Sequence, residues 1–185
     1  MSNKIVLIDG HSILNRAFYG VPDLTNSEGI HTNAVYGFLN IMFKILEEEK
    51  PNYLAVAFDV KHPTFRHNMF DGYKGTRKPM AEELRQQVPM MKEMLQAMGV
   101  TIVELPGYEA DDILGTLSAA CGENDFCYIL TGDRDSLQLV RDNVNVLLAT
   151  TKMGKSTTVV YDCAKINEVY GVTPEELIDI KAIQG

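Results

Sequence analysis

Four short apolar runs, each meeting acidic residues at its carboxyl end, constrain this chain more than any other feature. Lys4–Ile8 is stopped by Asp9 and Tyr53–Phe58 by Asp59; Thr101–Leu105 leads into Pro-Gly-Tyr-Glu-Ala-Asp-Asp, and Phe126–Thr131 into Gly-Asp-Arg-Asp. Short apolar, β-branched runs of this kind are the pattern of strands buried on both faces. Between them lie segments of helical period, among them 33–49 with Val35, Phe38, Leu39, Met42, Ile45 and Leu46 on one stripe. Alternating strands and helices predict an α/β fold: a mostly parallel central sheet, right-handed crossovers and helices on both faces. In such sheets the ligand crevice lies at the carboxyl ends of the strands. Four separate segments therefore deliver Asp9, Asp59, the trio Glu109, Asp111 and Asp112, and the pair Asp133 and Asp135 to one edge.

The local signals fill in the frame. Ser12 is a plausible N-cap for a helix over 13–19, which places Arg16 one turn in from the strand end. Pro22, Asp23, Asn26, Ser27 and Gly29 mark 20–31 as a loop, after which Thr32 or Asn33 caps the next helix. Residues 80–98 are helical by period, with Pro89 either starting a second helix or kinking the first, and Gly99 ending it. A helix over about 111–121 closes at Gly122, and a short one follows Asp135 through Val140. Residues 144–149 and 157–161 flank Lys152-Met153-Gly154-Lys155 as a hairpin. Helices near 163–170 and 174–184 end the chain, the second with Thr173 as N-cap, Pro174 at its first position and Glu176 completing a capping box.

With 185 residues and 45% hydrophobic content, one domain spanning 1–185 is expected. Cys121, Cys127 and Cys163 form no C-x-x-C pair and leave an odd number, which argues against a disulfide framework or zinc site and for a reducing cytoplasm. The amino-terminal apolar stretch is too short for a signal peptide or membrane span, so a soluble protein is expected.

The trio at 109–112 is crowded. Two unit charges about 4 Å apart repel by roughly 4 kcal/mol at an effective dielectric near 20, so something must cancel them. Acids in the first turn of a helix are also ordinary capping residues, and that reading stands beside the first. Four acidic strand ends converging on one edge favour a cation. Carboxylates without accompanying His or Cys suit Mg2+ or Mn2+ rather than zinc, and His11, His31, His62 and His67 read as surface or packing residues. Such ions would let a phosphate ester enter. The net charge of −8 argues against nucleic acid, but neutralising the seven acids named would cancel nearly all of it. Residues 61–79 form the one basic and aromatic stretch: Arg66, Lys74 and Arg77 would hold a phosphate, and Tyr73 would stack on a base, unless the stretch is simply a solvated loop.

These residues resemble a known family, the 5' nuclease domain of bacterial DNA polymerase I and its flap endonuclease relatives, over nearly the whole chain. The matching stretches are Val-Leu-Ile-Asp-Gly-His with Arg16, Ala34-Val-Tyr-Gly-Phe, Val56-Ala-Phe-Asp, Phe65-Arg-His, Gly72-Tyr-Lys with Arg77, Pro106-Gly-Tyr-Glu-Ala-Asp-Asp, and Leu130-Thr-Gly-Asp-Arg-Asp. The resemblance implies a PIN-like 5' nuclease fold and a two-metal site drawn from Asp9, Asp59, Glu109, Asp111, Asp112, Asp133 and Asp135. It implies that Asp111, Asp112, Lys74 and Arg77 act in catalysis, and that Arg16, Arg66, Tyr73, Lys74 and Arg77 meet the substrate, with a helical arch or gateway over about 61–98. The expected activity is structure-specific hydrolysis of DNA at a 5' flap or 5' end, in replication and repair, by a monomer with a polymerase domain possible in the full-length protein. The family continues into an Asp-x-x-Asp motif and a helix-hairpin-helix element, whereas this sequence stops at Gly185. An incomplete second metal site and a missing duplex-binding part are therefore expected. The rivals are a PIN-like ribonuclease and a catalytically silent DNA-binding fragment. A phosphatase with an Asp nucleophile would want D-x-D where Asp9-Gly10-His11 stands, and a phosphoacceptor receiver would pair acids there.

Overall fold

A computed structural model describes residues 2–75, 79–152 and 155–184. Its centre is a six-stranded sheet of order β3-β2-β1-β4-β5-β6, made of β1 (Lys4–Asp9), β2 (Tyr53–Ala57), β3 (Thr101–Val103), β4 (Phe126–Thr131), β5 (Val144–Lys152) and β6 (Lys155–Tyr161). The first five strands are mutually parallel; β6 returns antiparallel on the edge as the expected hairpin. Met153 and Gly154 of its tip lie outside the described residues.

Alternation along each strand feeds two cores. Val6, Ile8, Val56 and Leu130 face α1 (Gly10–Gly20), α2 (Asn33–Glu49) and α4 (Glu82–Ala97). Leu7, Ala57, Cys127, Ile129 and Val146 face α5 (Ala110–Ala119), α6 (Cys163–Tyr170) and α7 (Leu177–Gln184). Helices thus cover both faces, as the strand pattern requires. Full burial of a side chain such as Phe38 contributes about 1.5–3 kcal/mol.

Chain order reverses at β1. The chain builds outward through β2 and β3, then crosses back to place β4 on the other side. That topological switch point sets the carboxyl ends of β1 and β4 side by side, with Ile8 in register with Leu130.

Several helix starts differ from expectation. β1 runs directly into α1, so Asp9, not Ser12, is the N-cap; its carboxylate accepts the Ser12 amide. Gly10 is required here because a Cβ would meet the Phe58 ring at 2.4 Å. Thr32 precedes α2 without a side-chain capping bond, and Asn33 turns inward to donate to the Phe18 carbonyl. The exposed amides of α2 are met from α4: the fully buried Gln87 accepts from Ala34 at 2.8 Å and Val35 at 3.2 Å, and donates to Asn33. One helix runs through Pro89 and closes at Gly99, whose amide bonds the Gln96 carbonyl while that of Val100 reaches Leu95. α5 ends at Ala120 without help from Gly122. The turn after β4 is a 3-10 helix over Arg134–Leu139. Thr173 and Glu176 do form the reciprocal bonds expected of them, but α7 itself begins at Leu177.

The 61–98 stretch divides in two. α4 is committed to the core through Leu84, Met91 and Leu95. The short α3 (Phe65–Met69), capped by Thr64 and His67, leads into the turn at 71–75, whose Tyr73 and Lys74 line the crevice, as do Arg85, Pro89 and Lys92 on the other side of α4.

Candidate metal and nucleic-acid site

The carboxyl edge of the sheet opens into a cavity of about 1590 Å³. Asp9, Asp59, Glu109, Asp111, Asp133 and Asp135 all line it, as do Arg16, Tyr73 and Lys74. Six of the seven acids expected to meet are therefore on one surface. Asp112 is not among the lining residues.

At the switch point Asp9 and Asp133 are held by neutral donors. Asp9 is buried; its Oδ1 accepts from the Ser12 amide at 3.1 Å and its Oδ2 from the Thr131 hydroxyl at 2.9 Å. Burial, with added repulsion from Asp111 and Asp59, pushes its pKa up to about 7 despite those two bonds. Asp133 caps the 3-10 turn by accepting the Asp135 amide. Asp135 pairs with Lys181 at 2.7 Å at the outer rim. Ser12 Oγ accepts the Gly132 amide at 2.9 Å, and Arg16 donates to the Gly132 carbonyl at 2.9 Å. Arg16, expected to meet substrate, thus also braces the β4 turn.

Asp59 is pinned differently. Its Oδ1 accepts the Ala110 amide at 2.6 Å, and its own amide donates to His11 Nδ1 at 3.2 Å. His11, read from the sequence as a packing residue, does pack edge-on to Phe58, with burial pushing its pKa down.

The start of α5 bears out the capping reading of 109–112. Glu109 is the N-cap and forms a capping box with Asp112, which accepts the Glu109 amide at 3.0 Å. Glu109 is also bound by cation and hydroxyl: Lys74 donates to Oε1 at 2.8 Å and Tyr73 to Oε2 at 3.0 Å. Asp112 receives both arms of Arg66, at 2.8 and 2.7 Å, and that fork holds its carboxyl below the usual carboxylate range. Asp111 projects into the cavity without an ion pair among the described residues; desolvation, then repulsion from Asp133, Asp59 and Glu109, pushes its pKa up to about 6.

Arg66 and Lys74, expected on a phosphate, are thus each turned to an acid. Lys74 sits in the left-handed region at φ 55°, which costs a non-glycine residue about 1 kcal/mol and is offset by its pairing with Glu109. Arg77 lies outside the described residues. Thr131 escaped the sequence reading; its one signal was a hydroxyl closing β4 immediately before Gly-Asp.

The donor set is all oxygen and carries excess negative charge, which fits a hard divalent cation. Among the described residues, no three acids, histidines or cysteines gather closely enough to enclose an ion. Their mutual repulsion, and the hold of Lys74 on Glu109, oppose such gathering.

A family model described as "5'-3' exonuclease, N-terminal resolvase-like domain" matches residues 4–171. DNA polymerase I of Caldicellulosiruptor bescii is 44% identical over 183 residues, 98% of this chain and 22% of that protein. DNA polymerase I of Bacillus subtilis is likewise 44% identical over 183 residues, 98% of this chain and 21% of its own length. The chain thus spans about a fifth of the curated relatives it matches. The bacteriophage T5 D15 protein co-crystallised with metal ions superposes with a TM-score of 0.73 at 20% identity, covering 98% of this chain and 66% of that one. The Holliday junction-resolving enzyme GEN1, in complex with product DNA, Mg2+ and Mn2+, gives 0.57 at 15%, covering 99% and 38%. At these identities the structural likeness establishes a shared fold. No described helix is long and apolar enough to cross a membrane.

Proposed function

The chain belongs to the 5'-3' exonuclease family, N-terminal resolvase-like domain, and from that premise we propose that its acidic cleft is the catalytic site of a divalent-metal-dependent 5' nuclease acting on DNA at a 5' end or flap. The observation that carries this reading is the arrival of acids from four different strand ends in one cavity beside Tyr73 and Lys74. Asp9, Asp59, Glu109, Asp111 and Asp133 would hold Mg2+ or Mn2+, with Asp135 at the rim. Bound divalent ions supply Lewis acidity, lowering the pKa of water and neutralising charge on a phosphodiester. Asp112 serves by fixing Glu109 through its amide while Arg66 holds Asp112 in turn.

The remaining roles belong to cations and aromatics. Lys74 trades its bond to Glu109 for the scissile phosphate, and Tyr73, released with it, offers a face to a base. Arg16 lines the cavity and would steady the backbone of the strand being cut. The relatives are DNA polymerases I, which supports a place for this domain within a larger protein carrying a polymerase. Three free cysteines suit a reducing cytoplasm.

The test is hydrolysis of 5'-labelled flap DNA and of a matched RNA by the full-length protein carrying this domain, with Mg2+ or Mn2+ and with chelator. Metal-dependent cutting of the DNA flap is the expected result. Preferential cutting of RNA would favour a PIN-like ribonuclease, and flap binding without cleavage at saturating Mn2+ a silent binding module.

A further inference from the structure

Asp9 ends β1 and Asp133 lies in the turn after β4, one on each side of the switch point, and a single buried side chain bonds to both. Thr131 closes β4 with no exposed surface. Its hydroxyl donates to Asp9 Oδ2 at 2.9 Å and accepts the Asp133 amide at 3.0 Å. Ser12 Oγ lies at 3.3 Å, but a hydroxyl has one proton, and the shorter contact to a carboxylate is the stronger acceptor. Because Ser12 Oγ in turn takes the Gly132 amide, the first turn of α1 and the turn after β4 are stitched at two consecutive residues, Thr131 and Gly132. Each oxygen of Asp9 receives one protein hydrogen bond and keeps a second lone pair for another partner.

We propose that Thr131 is a positioning residue whose hydroxyl fixes Asp9 and the backbone of Asp133 relative to each other, so that both carboxylates serve one divalent ion. This rests on the metal-dependent nuclease reading above. Valine would fill the same volume but leave Asp9 Oδ2 without its neutral donor and the Asp133 amide without its acceptor. Groups that orient metal ligands commonly affect affinity by about 10- to 100-fold.

Mn2+ affinity, measured by titration calorimetry on the wild type and on Thr131→Ser, Thr131→Cys and Thr131→Val, tests it. Serine keeps the hydroxyl and stays within about twofold of wild type; the thiol is a weak donor and falls between; valine weakens binding about 10-fold or more. Should valine fail to fold by thermal unfolding, the serine–cysteine pair still carries the comparison. Amide hydrogen exchange gives a readout without metal: the Asp133 amide exchanges faster in Thr131→Val and at the wild-type rate in Thr131→Ser. Wild-type affinity in Thr131→Val, or a loss in Thr131→Ser as large as in valine, overturns the positioning role. Asp111→Asn separates the two claims. If it loses Mn2+ while Thr131→Val does not, only the positioning role falls; if the wild type binds no Mn2+, both fall.

Discussion

Asp111 and Asp112 are neighbours in the first turn of one helix, yet Asp111 lines the cleft and Asp112 turns away from it to Arg66. Asp112 faces α3, where Arg66 grips it with two hydrogen bonds and Lys74 and Tyr73 grip the adjacent Glu109. Asp111 faces the switch point, where Asp9 is held by an amide and a hydroxyl and no ion pair forms at Asp9, Asp111 or Asp133 among the described residues. The proton affinities follow: the Asp112 carboxyl is held low, whereas those of Asp111 and Asp9 are raised to about 6 and about 7. One side of the cleft supplies its own cations and is stable without help. The other holds Asp9, Asp111 and Asp133 without an ion pair among the described residues, and on the proposed function the cost of that concentrated charge would be recovered by a bound cation.

Substitutions that swap these properties should break the contrast. The largest effect is expected for Asp111→Asn, which lowers metal-dependent cleavage by about 100-fold or more. The same change raises metal-free stability by about 1 kcal/mol, discounted because Asp111 is exposed to screening water. A fall in both activity and stability would mean that Asp111 is not under repulsion.

Next in size is the response to pH. Asp9 and Asp111 bind protons more tightly folded than unfolded, where their values are near 3.9, so metal-free stability rises as pH falls from about 8 to 5, by about 1–3 kcal/mol. Asp112 works in the opposite sense, and its contribution is lost only below about pH 4. Saturating Mg2+ should flatten the upper part of this curve. Chemical denaturation at pH 8 and pH 5, with and without Mg2+, reads both effects.

On the α3 side, Arg66→Ala leaves Asp112 without its fork and costs about 1–2 kcal/mol at pH 7. That cost should vanish in Arg66→Ala/Asp112→Ala measured against Asp112→Ala alone. The smallest stability change belongs to Lys74→Met, about 0.5 kcal/mol, because Glu109 keeps the Tyr73 hydroxyl at 3.0 Å and Arg66 at 3.6 Å when the ion pair is lost. Lys74→Met should nonetheless slow cleavage far more than it alters stability.

Much of this was legible in the sequence. The sheet and the gathering of acids follow from short apolar runs ending in acids, because strand burial and strand ends are local properties. What escaped is non-local or competes with a local signal. Ser12 is a good cap on paper, but β1 enters α1 without a break, so Asp9 takes that role and Ser12 turns to Gly132. No spacing rule points from α2 to Gln87, more than fifty residues away, as the partner of its first amides. Arg66 reads as a phosphate ligand until the fold brings Asp112 within its reach. Thr131 looks like any β-branched strand residue until β1 is laid beside β4.

Acids from separate strand ends are expected to serve one ion. A double-mutant cycle of Mn2+ affinity on Asp9→Asn and Asp111→Asn measures this directly. If they share an ion, each single substitution removes most of the affinity and the double mutant loses little more, leaving a clear interaction energy between residues from β1 and α5. Losses that simply add, or an affinity untouched by either change, would contradict it.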